Sequence, residues 1–597
     1  MNKQERIIAI LLGLSLLGWM FYGSRQAAQR APASGAEAVV SAAVETASDK
    51  VALSAPQSEA VVAEADVAMV PSAPGVPEEV ITLNGGEMTL EVSSHGAVLR
   101  RVTLNRFASE PGKLSAQNPA VMFDFTSAPG LELKGLPGLL ENAAYQVARD
   151  ADGKVVTLNT ATEQGLALTR RIELLPDYQV KVIDTMQNSG AQVLALDKHS
   201  VSMGVMLKGI SKNDMLSVDS LPVGIKAKTR YWDKENAFKP YLASGGLGCG
   251  GKSSAVGLPQ HVTIPIAEAQ TWVALKSRFF VTAFSASEAN TGFNVRLTRD
   301  TTKPNYVLEK VAARVAFAAR VLRPGESATR EYTLFIGPKK LSLLQGLGNG
   351  MDAVMQFGVF TWFCKLLVPT LNFFHGWIHN YGIAIILLTF LVRIIFWPLT
   401  HKSTVSMKKM QDLQPKLKEL QATLKDNPQK LQKETWALYR ENKVNPMSSC
   451  LPMLIQIPVF IALFTVLRSA VELRYAPFLW IADLSEPENL LAGVLPIPLN
   501  ILPFLMSATM ALQSYLTPST GDPQQQKMMM IMMPIMMLFM FYSFPAALSL
   551  YWTVSQVLSI VQMLMIRRQS AHRHDADGGM TVEAPLTRQQ RRHAVVK

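Results

Sequence analysis

The sequence predicts an α-helical membrane protein of six spans carrying a large exported all-β domain. Three observations predict it. Charged residues make up 17% of the 597, against 48% hydrophobic, where a soluble globular chain carries about 25% charge. Five apolar segments in the C-terminal half approach the ~20 residues that cross a bilayer. Between residues 81 and 336, short runs of alternating hydrophobicity recur, punctuated by Gly, Pro, Asn and Asp. That is the pattern of an all-β sandwich or barrel. A soluble enzyme of ordinary composition and a wholly disordered chain are both excluded. The 58 basic and 46 acidic residues leave a net charge of +12. That excess needs no nucleic acid, because Lys and Arg collect on the cytoplasmic side of membrane proteins, and no DNA partner is expected. Cys249, Cys364 and Cys450 are too few and too scattered for a disulfide framework or a zinc site.

Lys3 and Arg6 precede an apolar run, Ile7 to Tyr22, closed by Gly23, Ser24 and Arg25. This is the pattern of a signal peptide or of an uncleaved signal anchor. Small residues at Ala27, Ala28, Ala31 and Ala33 keep cleavage open, and in either case the chain that follows is exported. Residues 31–79 are rich in Ala, Val, Ser, Pro and Glu and lack aromatics. Such a stretch has no pattern with which to bury a core, so a flexible linker is expected.

In the exported domain, Ile81, Leu83, Met88, Leu90 and Val92 fall at strand spacing. Further strands are expected over Val155 to Leu158, Leu166 to Leu174, Tyr178 to Ile183, Val262 to Ile266, Phe279 to Phe284, Tyr306 to Phe317 and Tyr332 to Ile336. His95, His199 and His261 are isolated and follow no metal-ligand spacing. Gly246 to Ser253 matches the phosphate-loop pattern letter for letter. No buried strand precedes it and Pro259 soon follows, so a surface loop is expected there. Carbohydrate binding stays open for any β sandwich, since fold is not function.

The five apolar segments are Tyr381 to Leu399, Leu451 to Ala470, Ile497 to Leu516, Met528 to Phe544 and Ala547 to Ile566. Before them, Phe357 to Ile378 mixes apolar and aromatic residues with Lys365, Asn372, His375 and a break at Pro369. An amphipathic helix lying in the interface is expected there. The loops orient the spans. His401 to Asn445 holds ten Lys or Arg and five acids, whereas Val471 to Pro496 holds one Arg and four acids. The positive-inside rule puts the first of these, the Gly521 loop and the basic tail in the cytoplasm, with the β domain outside. A retained first segment then makes six spans with both termini cytoplasmic.

Three features of this half carry functional information. Arg393 sits inside a span, where a basic residue costs about 2.5–3.5 kcal/mol on insertion scales. It is expected to face a wet, polar cavity, with Thr389 one turn before it on the same face. No acid lies in the five C-terminal spans to pair with it; Glu472 is nearest, just past an outer end. An unpaired cation in such a groove attracts acidic segments of a passing chain. Snorkelling to the cytoplasmic end, about 10 Å away, is the simpler alternative. Gln456, Ser507, Thr509, Gln513, Thr553, Ser555 and Gln556 lie on three other spans, where each serves either to polarise the groove or to bond two helices together. Arg468, at an outer end, is expected to snorkel.

The second feature is the long cytoplasmic loop. Met410, Leu413, Leu417, Leu420 and Leu424 repeat at three and four residues, a coiled-coil stripe. Pro415 kinks it or marks a first turn. Asn427-Pro428 has the form of a cap and first helical position, so a helical hairpin is expected. Lys408, Lys409, Lys416 and Lys418, with Tyr439 on the second helix, are candidate docking residues for a partner or acidic lipid. A solvated face is the simpler reading. The third feature is the Met run from Met528 to Met540. Met528, Met532 and Met536 suit a surface that accepts varied apolar partners, and equally suit lipid-facing packing.

Several stretches resemble the YidC/Oxa family of membrane protein insertases. They include Asn380-Tyr381-Gly382, the run Leu388 to Arg393 with Pro398-Leu399-Thr400, Leu438-Tyr439, and Lys443-Val444-Asn445-Pro446. Cys450 to Pro458, Asp522 to Met528, Phe544-Pro545 and Leu550-Tyr551-Trp552 continue the series. The likeness is dense and ordered from about Phe335 to Arg568. Gly337-Pro338-Lys339 and Trp272 with Phe279-Phe280 extend it more weakly. Ser448-Ser449, Ala546-Ala547 and Gln556 depart from common family residues, which bears on local helix packing.

The resemblance implies an inner-membrane insertase and chaperone, working alone or with the Sec translocon. It implies a five-helix core, a periplasmic β super-sandwich, a periplasmic amphipathic helix, a cytoplasmic hairpin and an uncleaved first span. The expected organisation is an anchor (1–24), a linker (25–80), the periplasmic domain (81–340) and an interfacial helix region (341–380). Then come a span (381–400), the hairpin (401–446), four spans (447–566) and a basic tail (567–597). By motif, Arg393 lines a groove open to the cytoplasm and to lipid, Thr389 and Tyr551 sit where family positions contact or support substrate, and Tyr551 and Trp552 form part of a slide for client helices. Gln456, Ser507, Gln513 and Gln556 are the groove candidates on the other spans, and Met528, Met532 and Met536 the further slide candidates. The implied partners are nascent membrane proteins, the Sec translocon, the ribosome and signal recognition particle pathway, and membrane lipids. Contact of the basic tail with ribosomal RNA stays open beside simple positive-inside bias.

No covalent chemistry, cofactor or metal is called for, so the chain is not expected to be an enzyme. A secondary transporter or channel using Arg393 as an anion site is the alternative. It predicts repeated halves with broken helices, which the sequence lacks.

Overall fold

A computed structural model of the chain describes residues 77–112, 114–209, 214–224, 228–233, 259–302, 307–424, 427–442, 444, 451–492, 494, 498–516 and 523–576. The expected anchor, the linker up to residue 76, the phosphate-loop-like stretch and the outer tail fall outside these residues, and the linker's expected last residue, Val80, opens the first strand. The chain divides into two compact units, residues 1–358 and 359–597.

The first unit is built on two nine-stranded antiparallel sheets. One runs in the order Val80–Asn84, Met88–Ser93, Leu99–Ala108, Gly130–Lys134, His199–Leu207, Leu308–Phe317, Gly292–Arg299 and His261–Ile266, with Ala120–Asp124 on the third strand. The other runs Arg230–Trp232, Ser217–Pro222, Gln270–Lys276, Phe280–Ala286, Ser327–Pro338, Gln179–Asn188, Leu166–Leu175, Val155–Ala161 and Gln146–Arg149. The alternation in sequence is the alternation in burial: Ile81, Leu83, Leu90 and Val92 are at most 2% exposed, as period-two strands with one buried face require. Tyr178 is a correction. It stands in the turn before its strand, at φ 61°, after Asp177 at φ 57°, so pairing begins at Gln179.

Charged side chains inside this unit are matched. Arg170, fully buried, donates from Nε and Nη2 to Asp184 at 2.7 and 2.8 Å, and from Nη1 to the carbonyls of Ala97 and Leu131 at 3.0 and 2.6 Å. The Tyr332 hydroxyl donates to the same carboxylate at 2.7 Å. Asp184 is in the second sheet, whereas Leu131 lies in a strand of the first and Ala97 just before another, so one guanidinium ties the layers together. His199, isolated in sequence, packs against Arg330, which also donates to Glu288 at 2.9 Å.

Helix α1 (Leu341–Gly346) and a 3-10 turn (Met351–Met355) close this unit. Lys276 Nζ donates to Asp219 Oδ2 at 2.5 Å and to the Val354 carbonyl at 3.1 Å. Gln356 Nε2 donates to the same carboxylate at 3.1 Å. Val354 is fully buried. The stretch 341–358 thus packs with the β sheets, and the region expected as one interfacial segment over 341–380 is divided at Gly358. Lys339, 5% exposed, donates to the Ser277 carbonyl at 3.4 Å. Burial pushes its ammonium down to about 7, and neighbouring Lys276 adds to the effect while Asp219 opposes it.

The second unit is helical: α2 (Thr361–Ile378), α3 (Tyr381–Asp412), α4 (Gln414–Thr423), α5 (Pro428–Glu441), α6 (Leu451–Ser469), α7 (Ile501–Leu516), α8 (Pro523–Phe541) and α9 (Ala546–Ala576). In α2, Cys364, Leu367, Val368 and Leu371 are buried at helical spacing, and Trp362, Leu366, Phe373 and Trp377 are exposed on the opposite side. Asn380 caps α3, its side chain accepting from the Ile383 N–H at 3.1 Å.

Helix α3 is a second correction. The span and the first arm of the hairpin are one 32-residue helix, with no break at residue 400. Pro398 is absorbed inside it, and the break comes at Leu413, where Pro415 opens α4 in its first turn. Asn427 caps α5 through the Lys430 N–H at 3.1 Å, with Pro428 at its start. Among the described residues two helices are long and apolar enough to cross a membrane, Tyr381–Asp412 and Ala546–Ile566. Gln456–Ser469, Ile501–Leu516 and Met530–Phe541 are shorter apolar helices.

Candidate functional site

The site is built on one stripe of α3. Ile385, Leu388, Thr389 and Val392 are buried, and Phe390, Ile394, Ile395 and Trp397 are exposed. The helical repeat therefore puts Arg393, Phe396 and Thr400 along the edge of the buried stripe. Helix α9 meets that edge with Tyr551 and Ser555, 3% and 2% exposed and one turn apart. Helix α6 supplies Gln456 and Val459. A cavity of about 30 Å³ is lined by Val392, Arg393, Phe396, Thr400, Gln456, Val459, Tyr551 and Ser555.

Arg393 has no acid beside it among the described residues, as expected, but it is anchored by neutral groups. Its Nε donates to Ser555 Oγ at 3.0 Å, and its Nη2 donates to the Ser555 carbonyl at 2.7 Å and to Oγ at 2.5 Å. These partners are neutral. Among the described residues no carboxylate pairs with the guanidinium, and Nη1 has no hydrogen-bond partner. The cation is thus fixed in direction, un-neutralised, and has two N–H groups to spare. Two turns further along, Gln562 Nε2 donates to Thr400 Oγ1 at 3.0 Å, and Gln562 is 5% exposed.

Of the expected groove residues, Arg393 and Gln456 line the cavity. Thr389 is fully buried and donates to the Ile385 carbonyl of its own helix at 2.7 Å. Ser507 donates to the Pro534 carbonyl at 2.9 Å, tying α7 to α8. Gln513 is half-buried on α7, and Gln556 is buried on α9 beside Ser555; neither lines the cavity. Tyr551, expected on the slide, lines the cavity. Trp552 turns away into an aromatic cluster, its ring 5.1 Å from Phe460 and 5.5 Å from Phe541. Met532 and Met536 are 59% and 44% exposed on α8, away from the cavity, and the Met528 side chain lies outside the described residues. On the hairpin, Lys409, Lys416 and Lys418 are exposed and Lys408 is half-exposed. Tyr439 packs inward against Met410, Leu413 and Val444, so it belongs to the hairpin's interior rather than to a docking surface.

Sequence reasoning weighed Ser555 among seven polar residues without separating it, and missed Thr400, Val392, Phe396 and Val459. The spacing was a usable signal. Phe396 and Thr400 follow Arg393 at three and seven residues, and Ser555 follows Tyr551 at four. Which α9 face turns towards α3 is a property of packing. Among the described residues no group of three or more His, Cys, Asp or Glu could hold a metal ion.

Two family models match the chain. Residues 373–573 match the one described as 60Kd inner membrane protein, and residues 80–202 and 261–369 match the YidC periplasmic domain. A membrane protein insertase YidC of Geobacter sulfurreducens is 32% identical over 491 residues, which cover 80% of this chain and 84% of that protein. That of Pelobacter propionicus is 42% identical over 300 residues, covering 50% of this chain and 54% of that protein. With that relative and several others, the match spans about half of the relative's length. A crystal structure of an active YidC insertase is similar at 18% identity and a TM-score of 0.31, covering 81% of this chain and 94% of that one. A putative aldose 1-epimerase of Escherichia coli is similar at 12% identity and a TM-score of 0.28, covering 44% of this chain and 99% of that one.

Proposed function

The chain belongs to the YidC family, with its periplasmic β domain and helical C-terminal region, and on that footing we propose that it is a membrane protein insertase of the bacterial inner membrane. The observation that carries the reading is the Arg393 cavity: a small space with Val392, Phe396 and Val459 on its wall beside polar groups, holding one cation aimed by Ser555 and left un-neutralised. At about 30 Å³ it has room for about two water molecules. In this reading it is a polar seat for a single side chain of a client's flank. An acidic side chain entering it trades water for two charge-assisted N–H donors, which lowers the cost of bringing that flank part-way into the bilayer. The client's apolar helix then partitions into lipid, at about 25 cal/mol per Å² of apolar surface removed from water. The protein performs no bond-making step.

In this reading the chain crosses the membrane six times with both termini cytoplasmic, and α2 lies in the periplasmic interface. The exposed lysines of the hairpin face the cytoplasm, where ribosome, targeting machinery and acidic lipid are the partners, with the Sec translocon in the membrane. The basic loops and the exposed aromatic side of α2 support this placement. An anion transporter is not favoured, because the family points elsewhere.

The test is site-specific photo-crosslinking from Arg393, Gln456, Tyr551 and Ser555 to a stalled nascent membrane protein, with Ile394 and Ile395 as outward-facing controls. Crosslinks from the cavity set alone support the reading. Silence from all four in a folded, membrane-embedded protein would overturn it.

A further inference from the structure

Two polar pairs join α3 to α9, and they share one register. Arg393 bonds Ser555, and Thr400 bonds Gln562; each pair is separated by 162 positions. Both partners advance by seven residues, so the two helices run parallel here and keep a single offset over about 10 Å. A seven-residue step is the repeat at which two helices packed along a seam meet again. Each rung also engages the backbone. Arg393 Nη2 donates to the Ser555 carbonyl at 2.7 Å, and Thr400 Oγ1 lies within 3.1 Å of the Phe396 carbonyl. Gln562 and Ser555 are 5% and 2% exposed. A slip of α9 by one residue along α3 would part both rungs together and leave buried polar groups without partners, which low-dielectric surroundings penalise.

We propose that Thr400 and Gln562 are positioning residues that, together with Arg393 and Ser555, lock α3 and α9 in this parallel register. The seam stays closed while a client occupies the cavity, and the client leaves by another side. The inference rests on the insertase reading and adds to it a fixed wall. The second rung holds Ser555 level with Arg393, so that the guanidinium keeps its direction.

The same offset places Thr404 level with Ile566, one turn beyond the lower rung and outside the cavity lining. The experiment uses the full chain with its three native cysteines replaced by alanine, carrying Thr404→Cys and Ile566→Cys. The protein is reconstituted in proteoliposomes and treated with a short bis-methanethiosulfonate reagent. Thr404→Cys with Val557→Cys, about 13 Å out of register at 1.5 Å per residue, is the off-register control. The expected result is efficient bridging of the first pair only, with client insertion within about two-fold of the same sample after reduction. No bridge in the first pair overturns the register. A bridge that cuts insertion ten-fold or more, reversed by reduction, overturns the closed seam. Failure of the insertase reading itself is separate: unbridged protein would insert nothing, while the bridging yield would still report the register.

Discussion

Replacing Ser555 by alanine is the sharpest perturbation of the cavity, because it leaves the charge in place and removes what aims it. Ser555 Oγ accepts two of the three bonds that hold the guanidinium, at 3.0 and 2.5 Å; the third, from Nη2 to the Ser555 carbonyl, survives. A hydrogen bond to a charged group is worth about 1.5–3 kcal/mol in soluble proteins, whereas interhelical bonds in membranes average about 0.6 and reach about 1.7 kcal/mol. With one bond kept and water able to replace part of the rest, about 1–1.5 kcal/mol of positioning is lost, equivalent to about five- to ten-fold. The assay is insertion into proteoliposomes of two clients with the same apolar helix, one carrying two aspartates in its exported flank and one carrying none. Ser555→Ala should slow the acidic client about five- to ten-fold and leave the other within about two-fold. Ser555→Thr, which keeps the hydroxyl, should restore the acidic client, and Arg393→Ala should exceed Ser555→Ala with the same preference. Equal slowing of both clients, or no slowing of the acidic one, would refute the reasoning that a directed cation recognises acidic flanks.

Three further outcomes concern the periplasmic unit, read in the full-length protein in detergent. Asp219→Leu alone strands the buried Lys276 ammonium and should cost about 3–5 kcal/mol in denaturant unfolding, while the double variant with Lys276→Met should recover more than half of it. Lys339 is depressed to about 7 in the folded protein from about 10.4 in an unfolded chain. Between those values the unfolded state binds the extra proton, so stability should fall as pH drops from about 10 to about 7 and level off below. Lys339→Met should flatten that dependence in thermal melts at pH 7 and pH 9.5. Gly292 adopts φ +134°, and a Cβ there would overlap the Ile266 carbonyl oxygen. Gly292→Ala should therefore lower the melting temperature sharply, whereas Gly153→Ala, with open space around it, should show only the smaller cost of its own positive φ.

Much of the architecture was legible in the chain because burial writes itself at a fixed period. Leu166, Leu168, Ile172 and Leu174 alternate in sequence and are buried in the strand. The hairpin was equally plain, since Asn427-Pro428 is a local cap and the leucine stripe a local repeat. Boundaries were less so. The apolar run ends at Leu399, which put the end of the span near residue 400, but the helix continues past it with Pro398 inside, and the break waits for Leu413 and Pro415.

By itself the sequence determined the two-part organisation, the strand and helix periodicities, the family, and the presence of one cation within an apolar span that has to face something polar. Only the tertiary structure decided which polar groups that cation meets. Seven candidates on other helices were equivalent in one dimension. Ser555 differs from Ser507 because α9 turns its Tyr551–Ser555 edge to α3, whereas Ser507 is spent on the Pro534 carbonyl. Tyr439 and Trp552 face inward for the same reason: a side chain's partner is set by the register and rotation at which two helices pack, and no local pattern encodes that.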